Sequence, residues 1–303
     1  MSSIKHRNSF EAAGEVREKN RVDGGTLYLV STPIGNLADI SERALKVLAE
    51  VDFVAAEDTR NTLVLLNRFD IKKELVSYYE HNKRQRGELI CDRLQSGESC
   101  ALVTDAGTPA ISDPGEDLVR LCAERDIPVT AVPGCCAAVD ALALSGLFTG
   151  RFAFEGFLPS NTRERRERLE EVKNDRRTLI FYEAPHKLRK TLGDLYEALG
   201  DRKIALCREL TKLNEEICRT CISDAIALYN DRSPRGEYVL VVSGWDDEQS
   251  VAEPELSPEE ALEKYLSQGM ARMDAMKAAA RELGMTKSEL YRIINCDKTD
   301  AEK

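Results

Sequence analysis

The side chains best suited to chemistry follow directly after short apolar runs. Glu57, Asp58 and Arg60 follow the run FVAA, so two carboxylates and a guanidinium stand together. His81 follows LVSYYE, and Asp105 ends the run ALVT, where a carboxylate can accept hydrogen bonds from ribose hydroxyls or an amino group. Carboxylates and imidazoles can accept protons, and a guanidinium can bind an anion. These turns are therefore the candidate functional positions.

Each of these residues also has a purely structural interpretation. Asp58 or Thr59 can cap a helix, and Asp113 can cap a later one. Arg60 can be a solvated surface residue, because exposed arginines commonly contribute little. A histidine beside a turn, such as His81, is commonly a surface or structurally satisfied residue. The residue types alone leave both interpretations open.

The turns themselves are rich in small residues. The strings STPIGNLADI, TDAGTPAISDPG, VPGCCAA and FYEAPH each end an apolar run, and such turns let backbone N–H groups approach a ligand closely. Neither GxGxxG nor GxxxxGK[ST] occurs, so dinucleotide-binding and P-loop interpretations lack their fingerprints.

The apolar runs alternate with helical patterns along most of the chain. Runs such as TLYLVST and CALVT are typical of strands buried on both faces of a parallel sheet. We therefore predict an α/β fold with two lobes, residues 26–134 and 135–245, that binds ligands beyond the carboxyl ends of its strands. In the second lobe we predict helices near 136–144 and 162–173. A strand is predicted over EEICRTCISD, and the short connection SDAIALYNDRSPRG predicts antiparallel pairing.

The two ends of the chain differ from this middle. Residues 1–25 are polar and mixed in charge, which predicts a disordered tail. Residues 246–257 predict an acidic linker, because Asp246–Glu263 contain eight acidic and no basic residues. Residues 258–303 predict a helical module with capping boxes at Ser257 and Thr286, either a helix-turn-helix or a plain helical cap.

Composition limits the class of protein. A chain of 303 residues fits about two domains, and its formal charge of -10 argues against an overall basic coat for nucleic acid. No apolar run approaches the roughly 18 residues of a membrane span, and the first residues lack the apolar core of a secretory signal. We expect a cytoplasmic protein without membrane association. The nine cysteines are expected to be reduced, and the CxxC of Cys218 and Cys221 lacks the second pair of a zinc site, so no metal is predicted.

Taken in order, the turns resemble one family closely. The strings LVSTPIGNLADISERALKVL, AAEDTR, SYYEHN, LVTDAGTPAISDPG, FEGFLP, TLIFYEAPHKL, RELTKLNEE and RGEYVLVV are similar to those of the ribosomal RNA small subunit methyltransferase I family, a branch of the tetrapyrrole methylase superfamily. The resemblance covers residues from about 26 to 245, and AARELGMTKSELYR resembles the family's small C-terminal helical module. It implies a two-lobed class III methyltransferase fold, usually a homodimer, with S-adenosyl-L-methionine between the lobes.

The resemblance also implies an activity and a set of residues. Family members methylate the ribose 2'-oxygen of a cytidine in the decoding region of small-subunit (16S) ribosomal RNA, with an assembled 30S subunit as the expected substrate. This sequence has Cys135-Cys136 where relatives commonly have Pro and Ser, so it lacks the hydroxyl that they offer the cofactor there. The cofactor-binding residues implied by the motifs are Pro33, Gly35, Asn36, Leu37, Asp105, Ala106, Gly107, Thr108, Ser112, Pro133, Gly134, Tyr182, Glu183, Ala184, Pro185, Arg208, Glu209, Gly236 and Glu237.

Methyl transfer to a ribose hydroxyl sets modest demands on the protein. In-line positioning of oxygen, methyl and sulfur supplies much of the acceleration. The hydroxyl also needs a base or a cationic stabiliser, because it is a poor nucleophile until its proton begins to leave. The catalytic candidates are Glu57 or His81 as the base, Arg60 for phosphate or the oxyanion, and Asp58 beside them.

Two other functions compete with this one. One is methylation of a tetrapyrrole or another small anionic substrate, which the superfamily allows. The other is a non-catalytic helix-turn-helix protein that uses the α/β lobes as a sensor. A basic cluster bears on RNA binding: Arg163–Arg177 contain seven basic and five acidic residues, which indicates either one wall of an RNA cleft or a solvated helix face with ion pairs.

Overall fold

The computed structural model describes residues 21–246, 257–283 and 285–296. Most of the predicted tail (1–20) and of the predicted acidic linker (247–256) lies outside the described residues, as do residue 284 and residues 297–303. The chain divides into two compact units. One consists of Met1–Val172 with Arg177–Ser243, and the other of Lys173–Arg176 with Gly244–Lys303.

The first sheet of the larger unit is parallel throughout. Its strands are β1 (Leu27–Val30), β2 (Phe53–Ala56), β3 (Glu74–Ser77), β4 (Cys100–Val103) and β5 (Val129–Val132), in the order β3-β2-β4-β1-β5. The connecting helices are α1 (Glu42–Glu50), α2 (Thr59–Arg68), α3 (Lys83–Gln95) and α4 (Glu116–Glu124). The parallel strands end at one edge of the sheet, which gathers the sequence's polar turns there.

The inner strands of this sheet are apolar at every position because both faces are covered. In β2, Phe53 and Ala55 face one core cluster with Ile90 and Leu118, and the intervening Val54 and Ala56 face the other. All four β2 side chains are buried. The predicted α/β fold class, with strands buried on both faces, is confirmed.

The second sheet is mixed. Its strands are β6 (Phe152–Phe157), β7 (Thr178–Glu183), β8 (Lys203–Arg208), β9 (Glu216–Cys221) and β10 (Tyr238–Val242), in the order β6-β7-β10-β8-β9. Only the β6–β7 pair among them is parallel, so the predicted antiparallel pairing is confirmed. Its helices are α5 (Ala137–Leu144), α6 (Thr162–Val172), α7 (Leu188–Leu199) and α8 (Ile222–Asp231). The helices predicted near 136–144 and 162–173 are thus present.

One prediction about this sheet is wrong. The segment SDAIALYNDRSPRG is not merely a connection, because helix α8 begins at Ile222 and continues to Asp231. The predicted strand over EEICRTCISD accordingly ends early, at Cys221. Ile222, Ala225 and Tyr229 share one face of the helix and are buried in the core of the second sheet. That burial stabilises a helix over residues that periodicity alone left ambiguous.

The strand-end loops of the first sheet are tied to one another. Thr32 and Gly107 exchange two backbone hydrogen bonds, of 2.9 and 3.1 Å. The Ser31 and Thr108 hydroxyls lie 3.0 Å apart, and Thr108 donates to the Cys135 carbonyl at 2.9 Å. Gly107 has a φ of +85°, a conformation that glycine adopts without steric cost. The turns after β1, β4 and β5 therefore form one assembly.

The smaller unit contains helices α9 (Pro258–Ser267), α10 (Arg272–Glu282) and α11 (Lys287–Cys296). The predicted capping box at Ser257 is present with Glu260, and Thr286 and Glu289 exchange reciprocal hydrogen bonds. These helices bury a small core of their own that includes Ala261, Ala275 and Leu290. Among the described residues, no helix is long and apolar enough to cross a membrane.

Candidate functional site

A cavity of about 390 Å³ lies where the strand-end loops of the first sheet face the second sheet. This volume is within the roughly 300–1,000 Å³ typical of small-molecule and cofactor sites. The first sheet's loops contribute Ile34, Ala106, Gly107, Thr108, Ile111, Ser112 and Asp113. Helix α5, its N-terminus and the second sheet contribute Cys136, Ala137, Phe157, Tyr182, Glu183, Ala184, Pro185, Cys207, Glu209, Leu210, Lys212, Glu237, Tyr238 and Val239.

Ten of the residues expected to bind the cofactor line this cavity. They are Ala106, Gly107, Thr108, Ser112, Tyr182, Glu183, Ala184, Pro185, Glu209 and Glu237. The others do not line it: Pro33, Gly35, Asn36, Leu37, Asp105, Pro133, Gly134, Arg208 and Gly236. Two of this second group, Gly35 and Gly236, instead sit tightly against Lys212 and Glu209, which do line the cavity.

A second cavity has a volume of about 280 Å³, and some of its lining residues are the sequence neighbours of residues that line the first. Pro33, Leu37 and Asp105 line it, together with residues of α2. Because Pro33 precedes Ile34 and Asp105 precedes Ala106, the same two loops contribute to both cavities. The loops after β1 and β4 therefore form a shared wall. The Asn61 side-chain amide donates to the Asp105 carboxylate at 3.0 Å, and both residues line the second cavity.

Much of the main cavity's lining was not predicted. Ile111, Leu210 and Val239 line it with apolar side chains, which sequence patterns do not distinguish from core residues. Asp113 and Lys212 are polar and belong to the quoted strings DAGTPAISDPG and RELTKLNEE, so the motifs held a signal for them.

Glu183 is a buried carboxylate with both oxygens engaged. It is only 3% exposed, and its Oε1 accepts from the Ala184 backbone N–H at 2.8 Å. Its Oε2 accepts from the Thr191 hydroxyl, and Thr191 in turn accepts from Arg165 at 2.7 Å. Glu183 is therefore held in place by the structure beneath the cavity.

Lys212 neutralises two other carboxylates that line the cavity, those of Glu209 and Glu237. Its Nζ lies 2.9 Å from Glu209 Oε1 and 2.6 Å from Glu237 Oε2. Burial raises the pKa of Glu209, but hydrogen bonds from Lys212 and the Glu237 backbone outweigh that effect, so the pKa lies below its ordinary value. Gly236 has a φ of +76°, and a Cβ there would lie 2.5 Å from Glu209 Cγ.

Asp113 is the carboxylate of the cavity with the least electrostatic support. Burial raises its pKa to about 6, and the nearby Glu57 and Asp105 carboxylates act in the same direction, against a hydrogen bond with Thr104. The expected capping role of Asp113 is wrong, because α4 begins after Gly115 without a side-chain cap. Tyr182, also in the cavity, has its pKa raised to about 12 by burial.

The four catalytic candidates lie outside the main cavity. Glu57 accepts from the Thr104 hydroxyl at 2.8 Å. Asp58 caps α2 through the Arg60 backbone N–H and pairs with the Arg60 side chain at 2.7 Å, whose hydrogen bonds lower the pKa of Asp58 to about 2. The Arg60 side chain is 89% exposed. His81 is exposed and lines a separate surface depression beside Asn82.

The basic cluster after Asn161 contains several ion pairs. Arg165 is buried and lies 2.5 Å from Asp194, so it supports the second lobe from inside. Arg163 pairs with Glu167 and Arg168 with Glu155, at 2.8 and 3.7 Å. For these three arginines the structure favours the ion-paired helix face over an RNA-facing wall.

The eight cysteines from Cys91 to Cys221 are free thiols. Cys136 lines the cavity, and Cys135 points its thiol at the Asp39 carbonyl, 3.7 Å away. Cys218 and Cys221 lie on β9 at positions of opposite facing, as an i, i+3 spacing on a strand requires. Within residues 21–246, 257–283 and 285–296, no His, Cys, Asp and Glu cluster could hold a metal ion.

Comparisons with known proteins agree with this architecture. The profile of the Tetrapyrrole (Corrin/Porphyrin) Methylases matches residues 26–226. The chain is 47% identical over 283 residues to the ribosomal RNA small subunit methyltransferase I of Halalkalibacterium halodurans, covering 91% of this chain and 97% of that protein. It is also 47% identical to the protein of that name from Thermotoga maritima, over 220 residues that cover 73% of this chain and 99% of that protein.

A solved structure shares the fold at low identity. The uroporphyrin-III-C-methyltransferase from Thermus thermophilus superimposes with a TM-score of 0.52 and 22% identity, covering 72% of this chain and 94% of that one. Identity this low supports a shared fold and carries no information on the substrate.

Substituting Gly236 tests whether the Lys212–Glu209 side of the cavity contributes to binding. Gly236→Ala places a methyl group against Glu209 at a positive φ, so the carboxylate must move. Losing one charge-assisted hydrogen bond, about 1.5 kcal/mol, weakens S-adenosyl-L-methionine binding roughly tenfold. Isothermal titration calorimetry measures this.

Gly193→Ala is the matched control. Gly193 lies within α7 and has no heavy atom within 4 Å of an added Cβ. Alanine there favours the helix by roughly 0.5–1 kcal/mol and leaves affinity unchanged. Equal affinities for the two variants would show that the Glu209 position does not matter for binding.

Proposed function

The chain belongs to the ribosomal RNA small subunit methyltransferase I family of the tetrapyrrole methylases, and from this premise we propose that it methylates the ribose 2'-oxygen of a cytidine in the decoding region of small-subunit ribosomal RNA. The methyl donor is S-adenosyl-L-methionine. The observation that carries the proposal is 47% identity over nearly the whole length of a relative that bears this family's name. That likeness extends over the loops that form the cavity.

The residues of the main cavity fit S-adenosyl-L-methionine. When bound, this group supplies an electrophilic methyl on a positively charged sulfonium. Ile34, Ile111, Leu210 and Val239 provide apolar surface for a flat ring system, and Gly107 lets its loop pass close to Ile34, 3.4 Å from where a Cβ would lie. The cavity's carboxylates give it negative charge, which suits a cationic ligand.

The chain's own residues hold and orient the cofactor in this proposal. The ten predicted residues that line the cavity would contact it directly, and the hydrogen bonds of Thr108 fix the loop that carries four of them. The second cavity, which Asn61 and Asp105 line, would receive the acceptor nucleotide. Asp58 orients Arg60, whose exposed guanidinium would contact RNA phosphate.

Methylation of a tetrapyrrole is not favoured. Among the residues that line the main cavity, Lys212 is the one basic side chain, and it is already paired with two carboxylates. Asp113 and Glu183 add further acidic groups. A porphyrinoid substrate carries several carboxylates and requires converging basic groups. The likeness to a uroporphyrin-III-C-methyltransferase is limited to the fold.

Two finer features complete the proposal. We expect the RNA to be recognised within an assembled 30S subunit. The net charge of -10 does not attract RNA as a whole, so binding would depend on local contacts such as the exposed Arg60.

We also expect a homodimer. Exposed apolar side chains in the larger unit, including Val64 at 72% and Phe148 at 67%, offer surface that a second copy could bury.

A direct assay tests the activity. The protein is incubated with methyl-labelled S-adenosyl-L-methionine and either 30S subunits lacking the modification, naked small-subunit RNA, or a tetrapyrrole precursor. We expect label in the 30S subunits, at a ribose that resists alkaline cleavage, and none in the tetrapyrrole. Label in the tetrapyrrole alone would overturn the proposed substrate.

Replacing Arg60 tests the RNA contact. Arg60→Ala should weaken 30S binding and lower the salt dependence of that binding by about one phosphate contact, while cofactor affinity stays normal. Arg163→Ala is the control, because its side chain is similarly exposed, at 87%, but pairs with Glu167 on α6. Filter binding over a salt series measures both. Identical salt slopes for Arg60→Ala and wild type would remove Arg60 from the interface.

Removing the smaller unit's helices separates the enzyme from the helix-turn-helix alternative. The Thermotoga maritima relative bears the same name although its match covers only 73% of this chain. Truncation after Asp246 should therefore weaken capture of the 30S subunit but preserve methyl transfer at saturating substrate. Complete loss of binding, with cofactor affinity intact, would instead favour a binding protein that depends on α9–α11.

A further inference from the structure

We propose that Asp113 is a catalytic residue that accepts the proton of the acceptor hydroxyl during methyl transfer, and that Thr104 and Glu57 link it to the second cavity. This inference rests on the proposed function. It assigns to the reaction a proton acceptor that differs from the sequence-based candidates Glu57 and His81, and it gives Glu57 a positioning role instead.

The partners of the cavity's carboxylates lead to this assignment. Glu183 has both oxygens engaged by Ala184 and Thr191. Glu209 and Glu237 are both paired with Lys212. Asp113 also lines the cavity, and none of the ion pairs described for this chain involves it. Asp113 differs from these three carboxylates because its hydrogen bond is with Thr104, and a carboxylate has enough lone pairs to accept from a bound hydroxyl as well.

The candidates from the sequence are less well placed. His81 lies in a separate surface depression, and Glu57 lines neither the main cavity nor the second one. Glu57 instead accepts the 2.8 Å hydrogen bond of Thr104, which lines the second cavity. A proton acceptor must come within hydrogen-bond reach of the proton that it removes.

The backbone around Asp113 is constrained in a way that fixes its position. Ala110 and Ser112 both have a φ of +66°, a left-handed conformation that non-glycine residues seldom adopt. A Cβ at Gly115 would lie 3.0 Å from Leu102 and Ala110, so this loop is pressed against the end of β4. Strained backbone conformations concentrate at functional sites. The loop with these conformations carries Asp113, which lines the cavity.

Thr104 is a hydrogen-bond partner of both Asp113 and Glu57. Its hydroxyl donates to Glu57 Oε2 at 2.8 Å. Its hydrogen bond with Asp113 lowers the pKa of Asp113 and so favours the ionised carboxylate, which is the form that accepts a proton. Thr104 also lines the second cavity, where the acceptor nucleotide is proposed to bind.

The surrounding charges suit a group that must gain a proton and then release it. Glu57 at the end of β2 and Asp105 at the end of β4 face Asp113, and Tyr182 on β7 feels its charge from the second sheet. Burial raises the pKa of Asp113 to about 6. At neutral pH the group is therefore a carboxylate, and it is a stronger base than an exposed aspartate.

The step balances in atoms and electrons. The hydroxyl oxygen forms a bond to the methyl carbon while the methyl–sulfur bond breaks, and the sulfur keeps that electron pair. The O–H bond breaks, and its proton moves to Asp113. The protonated Asp113 then returns its proton to solvent through the open cavity after product leaves.

Asp113→Asn in the full-length protein tests the assignment. Single-turnover methyl transfer to unmodified 30S subunits should fall by about 10²–10⁴-fold, the usual contribution of general base catalysis. Wild-type rates should fall as the pH drops below about 6, because protonated Asp113 cannot accept a proton. That acidic limb should be absent from the variant. Affinity for S-adenosyl-L-methionine should stay normal.

Thermal stability gives a readout that does not depend on activity. Because burial raises the pKa of Asp113, its ionised form is disfavoured in the folded state, and stability is lost as pH rises past the unfolded value towards 6. Asp113→Asn should therefore raise the Tm at pH 8 and change it little at pH 4. Asp117→Asn is the control: hydrogen bonds from Lys83 lower the pKa of Asp117, so its loss should lower the Tm at pH 8 and leave transfer intact.

A second variant tests the link to Glu57. Thr104→Val removes the hydrogen bond that lowers the pKa of Asp113, so the acidic limb should move to higher pH. An Asp113→Asn variant that transfers methyl groups at the wild-type rate with its acidic limb intact would overturn the proposal and leave the proposed function standing. A wild-type protein that fails to methylate 30S subunits would overturn the proposed function and this assignment with it.

Discussion

The site depends on the hydrogen bonds that join the turns after β1, β4 and β5. A parallel sheet brings these turns to one edge but does not by itself determine their conformations. The paired backbone bonds between Thr32 and Gly107 do so for two of them, and Thr108 ties the third through the Cys135 carbonyl. Since the turns after β1 and β4 line both cavities, one set of bonds positions the sides proposed for the cofactor and for the acceptor together.

Charge distribution within the cavity explains how an acidic protein can serve an RNA reaction. The cavity concentrates carboxylates around a position proposed for a cationic donor, and Lys212 offsets two of them. Anion contacts are kept apart, on exposed side chains such as Arg60. Electrostatic attraction of RNA and of the methyl donor thus involves different surfaces, so neither compromises the other.

The sequence predicted the architecture well because that part depends on periodicity and turn composition. Buried runs such as FVAA predict the parallel sheet. The sequence leaves Asp58 either as a helix cap or as a catalytic group, and the structure shows that its carboxylate accepts from the Arg60 backbone N–H, as a cap does. Asp113 does not cap α4, because that helix begins after Gly115, and the left-handed conformation of Ala110 and Ser112 in the same loop is not indicated by their residue types. Leu210 and Val239 resemble core residues, and only the folded packing of two lobes shows that they face a cavity.

The strand order of the first sheet also affects the order in which its strands can pair during synthesis. β1 lies between β4 and β5, with Leu27 beside both Cys100 and Val129. During synthesis β1 leaves the ribosome first, but its neighbour β4 begins at Cys100 and its neighbour β5 at Val129, so the edges of β1 stay unpaired while β2 and β3 can already associate. Sheets with such distant pairings fold slowly, because the chain must close long loops before it gains contacts. The edge that carries these turns is therefore completed only when β5 has emerged, and the cavity also needs the second sheet, which supplies lining residues as far along the chain as Val239.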